Sequence, residues 1–198
     1  MSRTSNKIGA KFENKLNKVF QKYRDEGKAY VKKIPVEWCV IRGAKGKIVK
    51  AFPRDKSDCL DYIGFLPNNK AIVFEAKSYD GTGSKSIKPF PLSNIKDYQY
   101  DLVEELYKYI NNIFYIIEVR LDKTSEVYLI SAAKVKEFKE TNERKSIPYD
   151  TLKEIGTLVE DLDILKYLEV WYETLLFTMW WRNNRPISCI TENINRII

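Results

Sequence analysis

The segment formed by residues 61–77 constrains the fold of this chain more than any other part of the sequence. Residues 62–66 and 71–74 are apolar and rich in β-forming side chains, and the Pro-Asn-Asn sequence between them favours a turn. The pattern predicts a β-hairpin of two buried strands. Pairing across the turn would bring Asp61, at the start of the first strand, close to Glu75 at the end of the second strand.

Charged side chains at the end of this hairpin indicate a site. Side chains alternate between the two faces of a strand, so Glu75 and Lys77 would share one face while Ala76 points to the other. Two carboxylates and an ammonium group would then meet, which suits metal-assisted hydrolysis of a phosphodiester. A solvated ion pair is the alternative interpretation of a Glu-x-Lys sequence. The buried strand before Glu75 favours a site, because ligands bind where buried strands end.

The composition excludes several classes of enzyme. The 198 residues include no histidine, which rules out Ser-His-Asp triads, histidine bases and His-ligated zinc. The 34 basic and 27 acidic residues give a net charge of +7, which favours nucleic acid as a partner. The widely spaced Cys39, Cys59 and Cys189 predict reduced, cytosolic thiols. We expect a cytoplasmic, nucleoid-associated protein. We expect no targeting segment and no membrane-spanning segment.

Two amphipathic helices are predicted beside the hairpin. The first begins near Ile8, and its apolar stripe is Phe12, Leu16, Phe20 and Tyr23, with Glu13 on the border of that stripe. The second begins after Ser93 or Asn94, and its predicted stripe is Ile95, Tyr98, Leu102, Leu106 and Ile110, with Gln99 beside it. Residues 113–117 and 127–130 read as neighbouring strands of a mixed sheet covered by helices.

A basic β-hairpin is predicted over residues 36–52, with a turn at residues 43–46. Its cationic residues are Arg42, Lys45, Lys47, Lys50, Arg54 and Lys56. A solubilising edge that resists strand pairing is the alternative interpretation. A flexible basic loop that includes Lys85 follows Lys77, and Arg144 and Lys145 form a further basic segment. These residues are candidates for contacts with a phosphate backbone, although a charged loop is the simpler interpretation of the last segment.

Several motifs, in this order along the chain, resemble the RecU family of Holliday junction resolvases, whose nuclease core is of the PD-(D/E)XK type. The resemblance extends from about residue 9 to about residue 172. The motifs are Gly9 with Phe12-Glu13, Asp61-Tyr62 with Gly64, Phe74-Glu75-Ala76-Lys77, Phe90-Pro91-Leu92 with Asn94 and Gln99, and Asn142 through Arg144-Lys145-Ser146-Ile147.

This resemblance implies roles for individual residues. Asp61 and Glu75 would hold Mg²⁺, which Mn²⁺ could replace, and the Ala76 carbonyl would be an additional ligand. Lys77 would orient the attacking water. Asp58 is a competing candidate for the first ligand, because the family commonly has a hydroxyl residue where this chain has Leu60.

The resemblance extends these roles to residues outside the hairpin. Glu13 would join the active site from the first helix, and Gln99 would bind a phosphate or the catalytic water. An ordinary surface acid and an ordinary surface glutamine are the alternatives. The basic hairpin would form a protruding stalk that enters the open centre of a four-way junction, and the basic segment at Arg144 and Lys145 would contact the DNA backbone.

The sequence as a whole therefore predicts an α/β restriction-endonuclease-like domain over residues 1–175 and a C-terminal extension over residues 176–198. We expect a homodimer that resolves Holliday junctions by paired nicks, with branched DNA and a recombinase as partners. Surplus aromatic residues are candidates for the dimer interface: Trp38, Trp171, Trp180 and Trp181. Two alternatives stay open: a nuclease of this fold for flaps, ends or mismatches, and a non-catalytic DNA-binding protein that modulates recombination.

Overall fold

The structure, a computed structural model, describes residues 3–54, 58–67 and 69–168. The helices are α1 (Arg3–Asp25), α2 (Asp97–Leu106), α3 (Ala132–Thr141) and α4 (Tyr149–Ile155). The strands are β1 (Tyr30–Lys33), β2 (Trp38–Arg42), β3 (Ile48–Pro53), β4 (Tyr62–Phe65), β5 (Ala71–Asp80), β6 (Phe90–Pro91), β7 (Ile113–Arg120), β8 (Ser125–Ser131), β9 (Ser146–Ile147) and β10 (Thr157–Leu158).

A six-stranded sheet with the strand order β1-β4-β5-β7-β8-β10 lies at the centre of the fold. Strands β5 and β7 run parallel, whereas the other neighbours pair antiparallel. The predicted hairpin is β4 and β5, and the predicted central strand and its neighbour are β7 and β8. The architecture confirms the predicted mixed sheet flanked by helices and is compatible with a restriction-endonuclease-like fold.

The two faces of β5 pack against different layers. Phe74 points to the α1 layer, where its ring stacks on that of Phe20 with centroids 5.8 Å apart. The predicted stripe of α1 is buried as expected. Val73 and Tyr79 point to the opposite face and belong to a cluster that includes Tyr100 and Val103 of α2. Alternation along the strand therefore places Glu75 and Lys77 on the α2 face of the sheet.

The predicted start of the second helix is wrong, and its predicted apolar stripe is confirmed in part. Ile95 is buried, and Leu102, Leu106 and Ile110 pack against the buried core. Leu92–Asn94 form a 3₁₀ turn, and α2 itself begins only at Asp97, after Lys96 as its N-cap. Its buried residues are Gln99, Tyr100 and Val103, whereas the predicted Tyr98, Leu102 and Leu106 are only half-buried. Ile95 and Lys96 have extended backbone conformations, so α2 does not continue a helix that starts at residue 93 or 94. As a result, the polar Gln99 faces the sheet.

Strands β2 and β3 form a separate two-stranded sheet, which we call the basic ribbon (residues 38–53). The turn of the ribbon contains Lys45 and Gly46 at φ angles of 60° and 73°. Most of the ribbon is exposed, including Trp38, which is 62% exposed, and Val49, which is 70% exposed. The predicted hairpin is thus confirmed, whereas its role as a protruding stalk stays a prediction.

The chain clusters into two units, residues 1–162 and residues 163–198. Only residues 163–168 of the second unit are described, and residues 164–168 are helical. The predicted extension at residues 176–198, together with Trp171, Trp180, Trp181 and Cys189, lies outside the described residues. Within the described part of the chain, no helix is both long enough and apolar enough to cross a membrane.

Candidate active site

The pairing of β4 with β5 brings Asp61 and Glu75 together. Tyr62 is the cross-strand partner of Phe74, so the residues just outside this pair become neighbours. The backbone N–H of Ala76 donates a hydrogen bond to Asp61 Oδ2 at 3.0 Å, and the backbone N–H of Asp61 donates to Glu75 Oε2 at 3.2 Å. The predicted proximity of the two acids is confirmed, because each carboxylate is held by the backbone next to the other.

Lys77 and Gln99 complete a closed polar network around Glu75. Lys77 Nζ lies 2.8 Å from Glu75 Oε1, and Gln99 Nε2 donates to the same oxygen at 2.5 Å. Lys77 Nζ also donates to Gln99 Oε1 at 3.1 Å. Glu75 and Gln99 are 3% and 6% exposed. The ammonium group of Lys77 is therefore oriented from two directions, by a carboxylate and by an amide.

Gln99 is itself fixed by the start of α2. Its Oε1 accepts the backbone N–H of Lys96 at 3.0 Å, which satisfies one of the donors that the first turn of a helix leaves free. Because the same side chain contacts Glu75, the beginning of α2 is tied to the end of β5. The buried position of Gln99 distinguishes it from an ordinary surface glutamine.

The electrostatics of this site raise the pKa of Asp61 to about 7. Burial is the largest cause, and the negative charge of Glu75 is the second. The N–H of Ala76 and the charge of Lys77 oppose the shift without cancelling it. Two carboxylates that share one buried site titrate as a coupled pair. Near neutral pH, the Asp61 carboxyl group is therefore close to the midpoint of its titration, and either a proton or another cation can neutralise it.

Glu13 approaches this site from α1. The hydroxyl of Tyr62 donates to the Glu13 carbonyl at 3.3 Å, and the charge of Glu13 contributes to the raised pKa of Asp61. Its carboxylate forms a half-buried ion pair with Lys33 of β1. The sequence analysis missed Lys33. Lys33 could have been located from its position two residues after the buried Val31. Residues two apart on a strand share a face, so both side chains lie on the α1 side of β1.

Asp58 lies outside the network. Its side chain is 80% exposed and pairs with Arg54 at 3.4 Å. Of the two candidates for the first ligand, the geometry places Asp61 beside Glu75. Among the described residues, no three side chains of Asp, Glu or Cys converge to hold a metal. The carboxylates of Asp61 and Glu75 suit a hard cation such as Mg²⁺, which prefers oxygen ligands and keeps several of its waters.

The predicted DNA-binding residues are all exposed and lie in three segments: Arg42, Lys45, Lys47 and Lys50 on the basic ribbon, Lys85 in the loop after β5, and Arg144 and Lys145 before β9. In the ribbon, the guanidinium of Arg42 donates to the Gly46 carbonyl at 3.1 Å and thus closes the turn. The Lys145 carbonyl accepts the backbone N–H of Leu92 at 3.0 Å, so the last segment packs beside the chain that leads into α2.

Comparison with known families identifies the chain as a recombination protein. The family model described as Recombination protein U matches residues 7–172. No curated protein sequence matches the chain. The matched segment covers most of the chain and contains Glu13, Asp61, Glu75, Lys77 and Gln99. The chain belongs to the RecU family, whose members act on Holliday junctions in recombination.

We expect Asp61→Asn to stabilise the metal-free protein in a pH-dependent way. An acid whose pKa is raised in the folded state lowers stability once it ionises, so the penalty is absent below its ordinary pKa of 3.8 and complete above about 7. By urea unfolding, the variant should exceed the unaltered chain by about 2–4 kcal/mol near pH 8 and match it near pH 4. The exposed Asp58→Asn is the control, and an equal gain at both pH values would contradict the assignment.

Proposed function

We propose that the chain is a metal-dependent endonuclease that, as a homodimer, resolves four-way DNA junctions by paired nicks. The observation that carries this proposal is the convergence of Asp61, Glu75 and Lys77 at one end of two buried strands, in a chain of the RecU family. The Asp61, Glu75-x-Lys77 arrangement also supports placement in the PD-(D/E)XK superfamily.

Asp61 and Glu75 would hold Mg²⁺ or Mn²⁺, with the Ala76 carbonyl as a further ligand. When bound, such an ion supplies a more acidic water and neutralises charge on the phosphate. The raised pKa of Asp61 supports this assignment, because two buried carboxylates repel each other and a divalent cation relieves the repulsion better than one proton does.

Lys77 and Gln99 supply the remaining chemistry from the chain itself. The ammonium group of Lys77, held 2.8 Å from Glu75, can orient the attacking water and stabilise the negative charge that develops on the phosphate. Gln99 acts as a positioning residue, since it fixes both Lys77 and Glu75. The negative charge of Glu13 would assist by raising the pKa of Asp61, while the ion pair with Lys33 partly compensates the charge of Glu13.

Branched DNA is the substrate that the family implies, and the basic ribbon supports contact with it. Arg42, Lys45, Lys47 and Lys50 are exposed on a two-stranded sheet that forms no ladder with the main sheet. A narrow cationic element of this kind can approach the centre of a junction, where phosphates of several strands surround an open space. A recombinase is a further proposed partner, because the family acts in recombination.

A second copy of the chain is the partner that paired nicking requires. One chain carries one Asp61-Glu75-Lys77 network, and a two-fold dimer is the simplest way to place two such networks on a nearly symmetric junction. The ribbon offers an apolar surface for this contact. Trp38 and Val40 are two residues apart on β2 and therefore share a face, which their cross-strand partners Pro53 and Ala51 extend. Trp38 is 62% exposed and Val40 is 43% exposed.

The first test of this function separates chemistry from binding. We expect Glu75→Gln and Lys77→Ala to lower the rate of junction cleavage at least about 10³-fold while changing the junction Kd less than about threefold. The reason is that many phosphate contacts supply affinity, whereas these side chains act on the transition state. Single-turnover cleavage and filter binding, with and without Mg²⁺, measure the two quantities, and Asp58→Asn is the control that should retain both.

The outcomes of this test also distinguish the alternatives. Equal losses of binding and cleavage would show that the site is misassigned. Cleavage of flap or duplex DNA but not of four-way junctions by the unaltered chain would favour a nuclease for other DNA structures. Junction binding without cleavage of any substrate would favour a non-catalytic DNA-binding protein.

The second test concerns the basic ribbon. Lys45→Gln/Lys47→Gln should raise the Kd for a four-way junction about tenfold and the Kd for linear duplex much less, because only the junction has an open centre lined with phosphates. Lys108→Gln/Lys123→Gln removes the same charge from two other exposed positions and should change neither Kd. A uniform loss of affinity for both DNAs would make the ribbon a general basic patch.

The third test concerns the dimer. Light scattering should report twice the chain mass for the unaltered protein, and Val40→Asp should shift the mass towards that of the monomer by placing a charge in an apolar contact. Tyr109→Asp, at a residue 78% exposed on another surface, is the control.

The unaltered dimer should convert a supercoiled cruciform plasmid to linear product through symmetric nicks. A monomer that nicks one strand would refute the resolvase assignment.

A further inference from the structure

A stripe of lysines runs along α1 on the flank opposite Glu13. Lys11, Lys15, Lys18 and Lys22 follow one another at intervals of four, three and four residues, and all four are exposed. Residues at these intervals lie on one face of a helix. Glu13 is two residues from Lys11, which places it about 200° around the helix axis from that lysine. At 1.5 Å per residue, the lysine stripe is about 16 Å long.

The charge of the chain is concentrated on this helix. The 23 residues of α1 include seven basic and two acidic residues, a net charge of +5, whereas the whole chain carries +7. The two acids do not neutralise the stripe except at its C-terminal end, where Asp25 lies on the same face, three residues after Lys22. Glu13 pairs with Lys33 on the other flank, and Asp25, at the C-terminal end, accepts a hydrogen bond from Gln21 at 2.7 Å.

Fold stability does not account for the lysine stripe. Lys15 Nζ lies 3.0 Å from the buried Glu118, and Lys22 Nζ lies 3.7 Å from Glu26. Lys11 and Lys18, in contrast, form no ion pair within the described ranges. Like charges three or four residues apart on a helix repel each other and destabilise it. The stripe therefore opposes helix formation slightly, which points to a partner that supplies the missing negative charge.

Amide side chains extend the polar surface of the stripe. Asn14, Asn17 and Gln21 line a shallow depression together with Lys18, Lys22 and, at its C-terminal end, Asp25. Amide N–H groups and lysines both donate to phosphate oxygens, and such contacts carry no base sequence information. A row of donors along a straight helix matches a polyanion whose charges are evenly spaced, as in the backbone of duplex DNA.

We propose that the lysine stripe of α1 binds the phosphate backbone of a duplex arm, as a second DNA contact apart from the basic ribbon. This inference rests on the proposed function, since it takes branched DNA as the substrate. The position of α1 supports it. Tyr62, next to Asp61, donates to the Glu13 carbonyl, so α1 is held against the strand that carries the site while its lysines point away from Glu13. The stripe thus contacts DNA outside the cleaved position.

The test uses Lys11→Gln/Lys18→Gln, because these lysines can be changed without removing the Lys15–Glu118 ion pair. In the full-length chain, the Kd values for linear duplex and for a four-way junction should both rise about tenfold near 0.1 M salt. The slope of log affinity against log salt concentration should become shallower by about 2, at about 0.9 per lost phosphate contact. Circular dichroism should show an unchanged helix content.

Lys108→Gln/Lys123→Gln, with the same change in net charge, should retain the affinity and the salt slope of the unaltered chain. If the stripe variant behaves like this control while the unaltered chain binds and cleaves junctions, the lysine stripe is a solvated surface and the proposed function stands. A loss confined to junctions would overturn the assignment to duplex arms. If the unaltered chain binds neither DNA, both proposals are refuted.

Discussion

The repulsion between the Asp61 and Glu75 carboxylates is the interaction on which the rest of the site depends. Burial makes it stronger, because fewer waters screen the two charges, and burial and the charge of Glu75, in that order, raise the pKa of Asp61. Backbone N–H groups from Ala76 and from Asp61 itself hold the two acids in place despite this repulsion. The two acids are thus held together at a buried position where burial and their mutual repulsion both disfavour the doubly ionised state.

Three separate elements maintain that arrangement. The register of β4 and β5 sets the distance between the acids, and Gly64 allows β1 to pack against β4, since an added Cβ would lie 2.7 Å from Val31 and 2.9 Å from the Tyr30 carbonyl. The first turn of α2 supplies Gln99. The ion pair between Glu13 and Lys33 balances a third carboxylate close to the site. A change in any of these elements alters the field at Asp61.

Local patterns in the sequence were sufficient to predict the β4–β5 hairpin, the basic ribbon, β7 and α1, because each follows from turn chemistry or from regular periodicity. They also placed Asp61, Glu75 and Lys77 together, since strand alternation and pairing fix those positions. The start of α2 and the burial of Gln99 and Tyr100 could not be predicted in this way. An irregular segment at Ile95 and Lys96 shifts the start of the helix to Asp97, and a periodic pattern carries no information about such an irregularity.

The sequence also did not predict which charged side chains pair in the folded chain. Glu118 follows five apolar or aromatic residues in β7, yet it is 3% exposed, because Lys15 and Ser78 satisfy its carboxylate at 3.0 and 2.7 Å. Lys33 and Glu13 meet only because α1 packs on β1. In both cases the partner is distant in sequence, so only the folded chain shows that the charge is compensated.

The dual contact of Gln99 links the start of α2 to the polar network around Glu75 and Lys77. One side-chain oxygen accepts the N–H of Lys96 at the helix start, while the amide nitrogen donates to Glu75. A chain in which the first turn of α2 has not formed lacks the amide that orients Lys77. The alignment of Glu75 and Lys77 therefore depends on the folding of the first turn of α2 as well as on the pairing of β4 with β5.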